Sequence, residues 1–336
     1  MRLRAFLSLL SDSLRALPVA TLYITERCSS RCVCCDYWRS GRNEISMDLV
    51  KKLACELHAF GTRYILLSGG EPLQHPQWAA IGAVFKELGL QVGLATNGLL
   101  LAKNADALEA CIDQIYLSLD GATPESYRAI RGVDGLECVM RGMDRISGKI
   151  PVTVRTAVQR RNYAEIPSLI RLARSLGASH HSFLAVDTRS RAAFARGEEF
   201  ECAESLCVED LGPFARVLEN VEREFDDEFA SGYIRESKSK LRLLHGYFAA
   251  RAGLRDFPPV RCNAPRFSAV IETDGSIKPC FFLPSSGRFD GTPMSRALNT
   301  AIGKDLRRQQ RLGLRQECSR CVCPAYRRIV ELLEGM

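Results

Sequence analysis

No stretch of the 336 residues approaches the roughly 20 uninterrupted apolar residues of a membrane span, so a helix that crosses a bilayer is not expected. Charge of one sign is scarce in excess: 46 Lys and Arg stand against 39 Asp and Glu, and the arginines are scattered. No basic stripe is interleaved with aromatic residues, which argues against a nucleic-acid surface. Internal repeats and low-complexity tracts are missing, which excludes solenoids and biased linkers. The opening segment MRLRAFLSLLSDSLRALPVA has no uninterrupted apolar core, being broken by Arg4 and Arg15, and no small-residue cleavage site. It reads as a packing helix over residues 1–20 rather than a signal peptide; a helix lying on a membrane surface stays open.

What is present is an ordinary globular balance, 46% hydrophobic and 25% charged, in a chain long enough for two domains. Cysteine is abundant, with fourteen residues. In a short secreted chain that number would point to disulfides; here at least seven fall in two groups with metal-ligand spacing, which fits a reducing cytoplasm. From Leu22 short apolar strands alternate with amphipathic helices: LYIT, RYILLSGG, QVGLATNG, QIYLSLDG, PVTVRTAV and HSFLAV, with helices expected over 47–60, 78–88, 106–112, 135–146 and 166–176. Strict strand-helix alternation predicts an α/β fold with a mainly parallel sheet.

Cys28, Cys32 and Cys35 follow the first strand in a C-x3-C-x2-C pattern. Three thiolates can hold a cubane [4Fe-4S] cluster and leave its fourth iron open to a small ligand. Zinc is the competing reading, with Cys34, His58 or His75 as a fourth ligand. Farther on, YILLSGGEPL runs a buried strand into Gly69, Gly70, Glu71 and Pro72, a turn where backbone and one carboxylate can approach a ligand closely. Together these motifs resemble the radical S-adenosylmethionine (SAM) superfamily.

The resemblance implies a partial (β/α)6 barrel over residues 21–187, with chemistry at the carboxyl ends of the strands. It implies that Gly69, Gly70 and Glu71 hold the methionyl amino group, that Ser118 and Asp120 reach the ribose, and that Arg131 takes the SAM carboxylate. Family members often carry an aromatic residue before the third cysteine, whereas this chain has Cys34, carried over only as a backbone contact. Thr96, Asn97, Arg155 and Gln159 sit near the same strand ends and are candidates for substrate contact.

Residues 188–258 are charged and helix-favouring, read as a helical connector with helices over 213–229 and 238–252. Cys202 and Cys207 there, like Cys55, Cys111 and Cys138, are expected to be structural thiols. In residues 259–336, Cys262 is followed by AVIETDGSIKPC, a β-hairpin turning at Asp274 and Gly275 and delivering Cys280, and then by Cys318, Cys321 and Cys323. This resembles the twitch domain, a shortened SPASM extension, and implies an auxiliary [4Fe-4S] cluster on Cys262, Cys280, Cys318 and Cys321; the spacing alone would serve zinc equally. Cys323 is either a substitute ligand or a thiol hydrogen donor.

The expected activity is reductive cleavage of SAM and hydrogen abstraction from a small molecule, ending in oxidation or epimerisation. An external electron donor such as flavodoxin or ferredoxin is implied. A peptide-modifying enzyme is the alternative, disfavoured because about 20 residues before the first strand leave no room for a precursor-recognition domain. A non-catalytic protein with structural metal sites would leave GGEP and SLDG unexplained.

Overall fold

The computed structural model describes residues 2–197, 200 and 202–327. Met1 and residues 328–336, which belong to the expected first and last segments, lie outside the described residues. The six expected strands form as β1 (Val19–Thr25), β2 (Tyr64–Gly69), β3 (Gln91–Thr96), β4 (Gln114–Ser118), β5 (Val152–Val158) and β6 (His180–Ala185). They pair in parallel and in chain order, and the sheet does not close on itself. It is a partial (β/α)6 barrel.

Alternation within each strand decides which face packs where. Leu22 and Ile24, Ile65 and Leu67, Ile115 and Leu117, and Val152 and Val154 belong to one core beneath the helices Met47–Ala59, Trp78–Glu87, Leu101–Cys111 and Leu136–Ile146. The opposite face carries Tyr23, Ser118, Arg155 and Ser182 and is left for the site. The Leu101–Cys111 helix begins five residues earlier than expected, because Leu101 and Ala105 also bury in this core.

Two connector helices, Val208–Glu224 and Lys238–Arg251, pack on Ile166 and Ile170 and on the outer side of β6 in a second core. The first starts before Pro213, capped through the Cys207 and Asp210 side chains. The hairpin forms as β7 (Ser268–Ile271) and β8 (Ser276–Lys278), with Gly275 at φ +84° in the turn. Both belong to the barrel's own sheet: β7 lies parallel against β1, β8 runs antiparallel to it, and a short β9 (Gly287–Arg288) ends a nine-stranded sheet. The N-terminal helix Arg2–Leu10 leads into a segment fastened to the helix Ala301–Arg311: Asp12 takes Arg266 and Arg311, and the buried Arg307 donates to the Asp12 carbonyl at 2.7 Å. Among the described residues no helix is long and apolar enough to cross a membrane.

Candidate active site

The strand-helix order places the loop after β1 beside the turn after β2, and glycine makes the approach feasible. A Cβ on Gly69 would meet the Thr25 carbonyl at 2.1 Å, and one on Gly70 the Arg27 carbonyl at 2.2 Å. The Gly70 and Glu71 N–H groups donate to those same two carbonyls, at 2.8 and 2.7 Å. These amides hold the cysteine loop itself, so what the turn has left to offer an ammonium group is carbonyl oxygen and carboxylate. The fully buried Glu71 accepts from Leu73 N–H, Thr96 Oγ1 and Asn97 N–H. Burial pushes its carboxyl up to about 7, against the pull of these donors.

Cys28, Cys32 and Cys35 come together on that loop, with Cys32 close enough to disfavour the thiolate forms of both Cys28 and Cys35. Burial pushes the Cys28 thiol up to about 11 and the Cys35 thiol up to about 12. Each sulfur has a polar neighbour: Asn97 Nδ2 lies 3.9 Å from Cys28, Arg131 Nη1 lies 3.6 Å from Cys32, and the Phe194 carbonyl lies 3.8 Å from Cys35. The loop is docked on the helix Pro124–Arg131 by Arg31 N–H to Arg131 O and Val33 N–H to Ile130 O.

Asp120, expected to contact the ribose, pairs with Arg131. One carboxylate oxygen sits 2.7 Å from Arg131 Nη2 and the other accepts from Ala157 N–H. Asp120 therefore positions Arg131. Burial works against the Arg131 charge, but Asp120 and Cys32 outweigh it and hold the guanidinium protonated. Its Nε is buried with no partner among the described residues, a donor left for an anionic group such as a carboxylate. Ser118 ends β4 on the same face as Arg155.

A segment the sequence reading passed over crosses this loop. Arg196, almost wholly buried, donates to the Cys34 carbonyl (2.6 Å) and to Asp187 Oδ1 (2.6 Å), and lies over the Phe194 and Phe200 rings. Of the Cys34 backbone, expected as a contact, the carbonyl accepts from Arg196. Cys202, expected to be an unbonded structural thiol, is disulfide-bonded to Cys34, with Cα atoms 5.6 Å apart, because this segment folds back over the cysteine loop. The signal available in the sequence was weak: one arginine among several in RSRAAFARG.

The C-terminal cysteines also converge. Cys280 feels Cys262, Cys318 and Cys323, and Cys321 feels Cys323, Cys280 and Cys262. Burial raises all three that respond, with Cys280 up to about 12 and Cys318 up to about 11. Cys323 joins this group and also faces Arg155 Nη2 at 3.9 Å. Tyr23 packs between the two cysteine groups, against Tyr37 and Phe281, and is disturbed by both Cys35 and Cys280. Among the described residues no three His, Cys, Asp or Glu side chains close on a single-ion position.

A family model, the radical SAM superfamily, matches residues 22–173, the segment that carries the first cysteine group and the glycine turn. The chain belongs to the radical SAM superfamily. Among relatives, this radical SAM chain is 28% identical over 278 residues to the AdoMet-dependent heme synthase of Methanosarcina barkeri, covering 78% of this chain and 76% of that protein. It is 32% identical over 166 residues to a probable GTP 3',8-cyclase of Methanococcus maripaludis, covering 47% of this chain and 55% of the cyclase. Among solved structures, native anSMEcpe with bound AdoMet and Kp18Cys peptide superposes with a TM-score of 0.65 at 16% identity, over 92% of this chain and 89% of that one. That likeness is one of fold. As a radical SAM enzyme the chain is one that uses a [4Fe-4S] cluster and SAM.

Proposed function

We propose that this radical SAM enzyme oxidises or epimerises a small-molecule intermediate, with Cys28, Cys32 and Cys35 holding the SAM-binding cluster and Cys262, Cys280, Cys318 and Cys321 an auxiliary [4Fe-4S] cluster. The observation that carries the reading is the convergence of two separate cysteine groups on one sheet, with the unpaired Arg131 Nε beside the first. Buried thiols whose ionisation is suppressed in the bare protein are fitted to a positively charged metal group, which would stabilise them as thiolates. Bound there, the cluster and SAM would supply one-electron reductive cleavage of the SAM sulfonium bond and, through it, hydrogen-atom abstraction from substrate, with the electron coming from the external donor.

The chain's own part is to bind, orient and exclude water. The carbonyls of the Gly69 and Gly70 turn and the Glu71 carboxylate are acceptors suited to the methionyl ammonium, and Arg131, held by Asp120, suits its carboxylate. Ser118 offers a hydroxyl toward the ribose. Asn97 and Arg131 donate toward the sulfurs of Cys28 and Cys32 and so orient two of the three ligands. Cys323, near the second group yet outside its four expected ligands, is the candidate hydrogen donor. The boundaries 21–187, 188–258 and 259–336 serve as working domains, and a flavodoxin or ferredoxin as electron donor.

Anaerobic reconstitution with iron and sulfide counting, followed by chromatography for 5′-deoxyadenosine after SAM and dithionite are added, tests this reading. About eight irons per chain, four for each cubane, are expected. Replacing Cys28, Cys32 and Cys35 together by Ala should abolish deoxyadenosine. Replacing Cys318 and Cys321 should roughly halve the iron and leave uncoupled SAM cleavage. Full cleavage by the triple variant would overturn the assignment.

A further inference from the structure

A cavity of about 180 Å³ opens between β5, β6, the helix Lys238–Arg251 and the loop that carries Cys321 and Cys323. Most of its wall is apolar, with Phe183, Leu184, Leu244, Tyr247, Phe257 and Val322 contributing. Three cations reach it: Arg155, Lys240 and Arg320. Its one carboxylate, Glu236, is occupied at both oxygens, by Ser182 Oγ at 2.9 Å and Phe183 N–H at 2.8 Å, where it caps the outer edge of β6.

Arg155 stands apart from the other two. It is half-buried in the middle of β5, and among the described residues it has no carboxylate partner; its one polar neighbour is the Cys323 sulfur. Buried guanidinium groups normally pair, because desolvating the charge is costly without a counter-ion. Arg155 is also paired in register with Ser118 on β4 and with Ser182 on β6, so the three share one row on the face turned away from the helices. That row runs from the proposed ribose contact directly into the cavity.

We infer that this cavity is the substrate pocket and that it selects a molecule with an apolar body and an anionic group, a carboxylate or a phosphate, which Arg155 receives. The inference rests on the proposed function for the pocket's catalytic meaning. Arg155 supplies the charge at the row's centre, Lys240 and Arg320 add positive potential at the rim, and the aromatic and aliphatic wall desolvates the pair so that the charge-assisted bond is strong. A neutral isostere would fit the wall and leave Arg155 unpaired.

The test is calorimetric titration of the full-length, iron-loaded protein with 1-naphthaleneacetate, its uncharged amide and 1-naphthyl phosphate. The acid or the phosphate should bind about tenfold or more tightly than the amide, and the tighter of the two anions identifies the group. Arg155→Met should shrink that preference to within about threefold while amide binding persists, and Arg155→Lys should keep part of it. If Arg155→Met also loses the amide, Arg155→Gln replaces it as the neutral variant. Equal binding of acid and amide, no binding of any of the three, or a preference that survives the loss of the Arg155 charge would overturn the inference. Deoxyadenosine formation, measured on the same preparation without these ligands, reports separately on the proposed function.

Discussion

Arg131 is a residue whose several roles depend on one partner. Its guanidinium is surrounded by Asp120, Cys32 and Tyr127, and only Asp120 gives it a full countercharge. Asp120→Asn would leave a buried cation unpaired, at a cost of about 3–5 kcal/mol. The expected outcome is a lower urea midpoint together with weaker SAM binding. An Asp120→Asn protein with wild-type stability would show that the pair does not hold the site. The Gly70 position makes a complementary point: its Cβ would strike backbone on the cysteine loop rather than a movable side chain, so Gly70→Ala should lower the iron retained after reconstitution more than it lowers helix content by circular dichroism.

At the scale of elements, the segment from Asp187 to Gly197 behaves as a strap over the first cysteine group. It carries two successive non-glycine residues in the left-handed region, Phe194 at φ +64° and Ala195 at +54°, a conformation that persists only where neighbours enforce it. The enforcement is visible: Asp36 N–H and the Cys35 thiol both point at the Phe194 carbonyl, and Arg196 fixes the next residue. Arg196→Met should raise amide hydrogen exchange in residues 187–197 while the strands β1 to β4 stay protected. Unchanged exchange in the strap would mean that Arg196 is not what holds it. This element also marks the border of what was legible. The six strands could be read because each is an apolar run ending near glycine or a helix signal, and the glycine turn because its motif is local. Arg196 with Asp187, the Arg155 row and the seating of β7 on β1 depend on contacts between distant segments, and no periodicity in the chain encodes them. The Asp120–Arg131 pair is likewise a contact between distant segments, and one sequence cannot say which nearby group a carboxylate will choose.

For the whole molecule, acid sensitivity should come from the interior. His181 on β6 is fully buried, bonded through Nε2 to Thr156 Oγ1, and has Nδ1 without a partner among the described residues; burial drives it from its ordinary 6.5 down to about 3. The unfolded chain therefore binds a proton at His181 that the folded chain refuses. Stability is full above about pH 6.5 and is lost as pH falls below it, by about 1.4 kcal/mol per pH unit at most. Between pH 7 and pH 5 that amounts to about 2 kcal/mol. Urea midpoints at the two pH values should differ less in His181→Gln than in the wild type; parallel curves would assign the acid loss to other groups.

The hairpin's membership in the barrel sheet has a consequence for the spacing between the first cysteine group and Cys280. The first cysteine group hangs from β1 and Cys280 follows β8, two strands away in the same hydrogen-bonded array, with Tyr23, Tyr37 and Phe281 filling the interval. Neighbouring strands keep a spacing of about 4.8 Å whatever joins them. The separation of Cys280 from the first cysteine group is thus set by the lattice of the sheet. The length of residues 188–258 therefore has no bearing on how far the end of β8 stands from the end of β1.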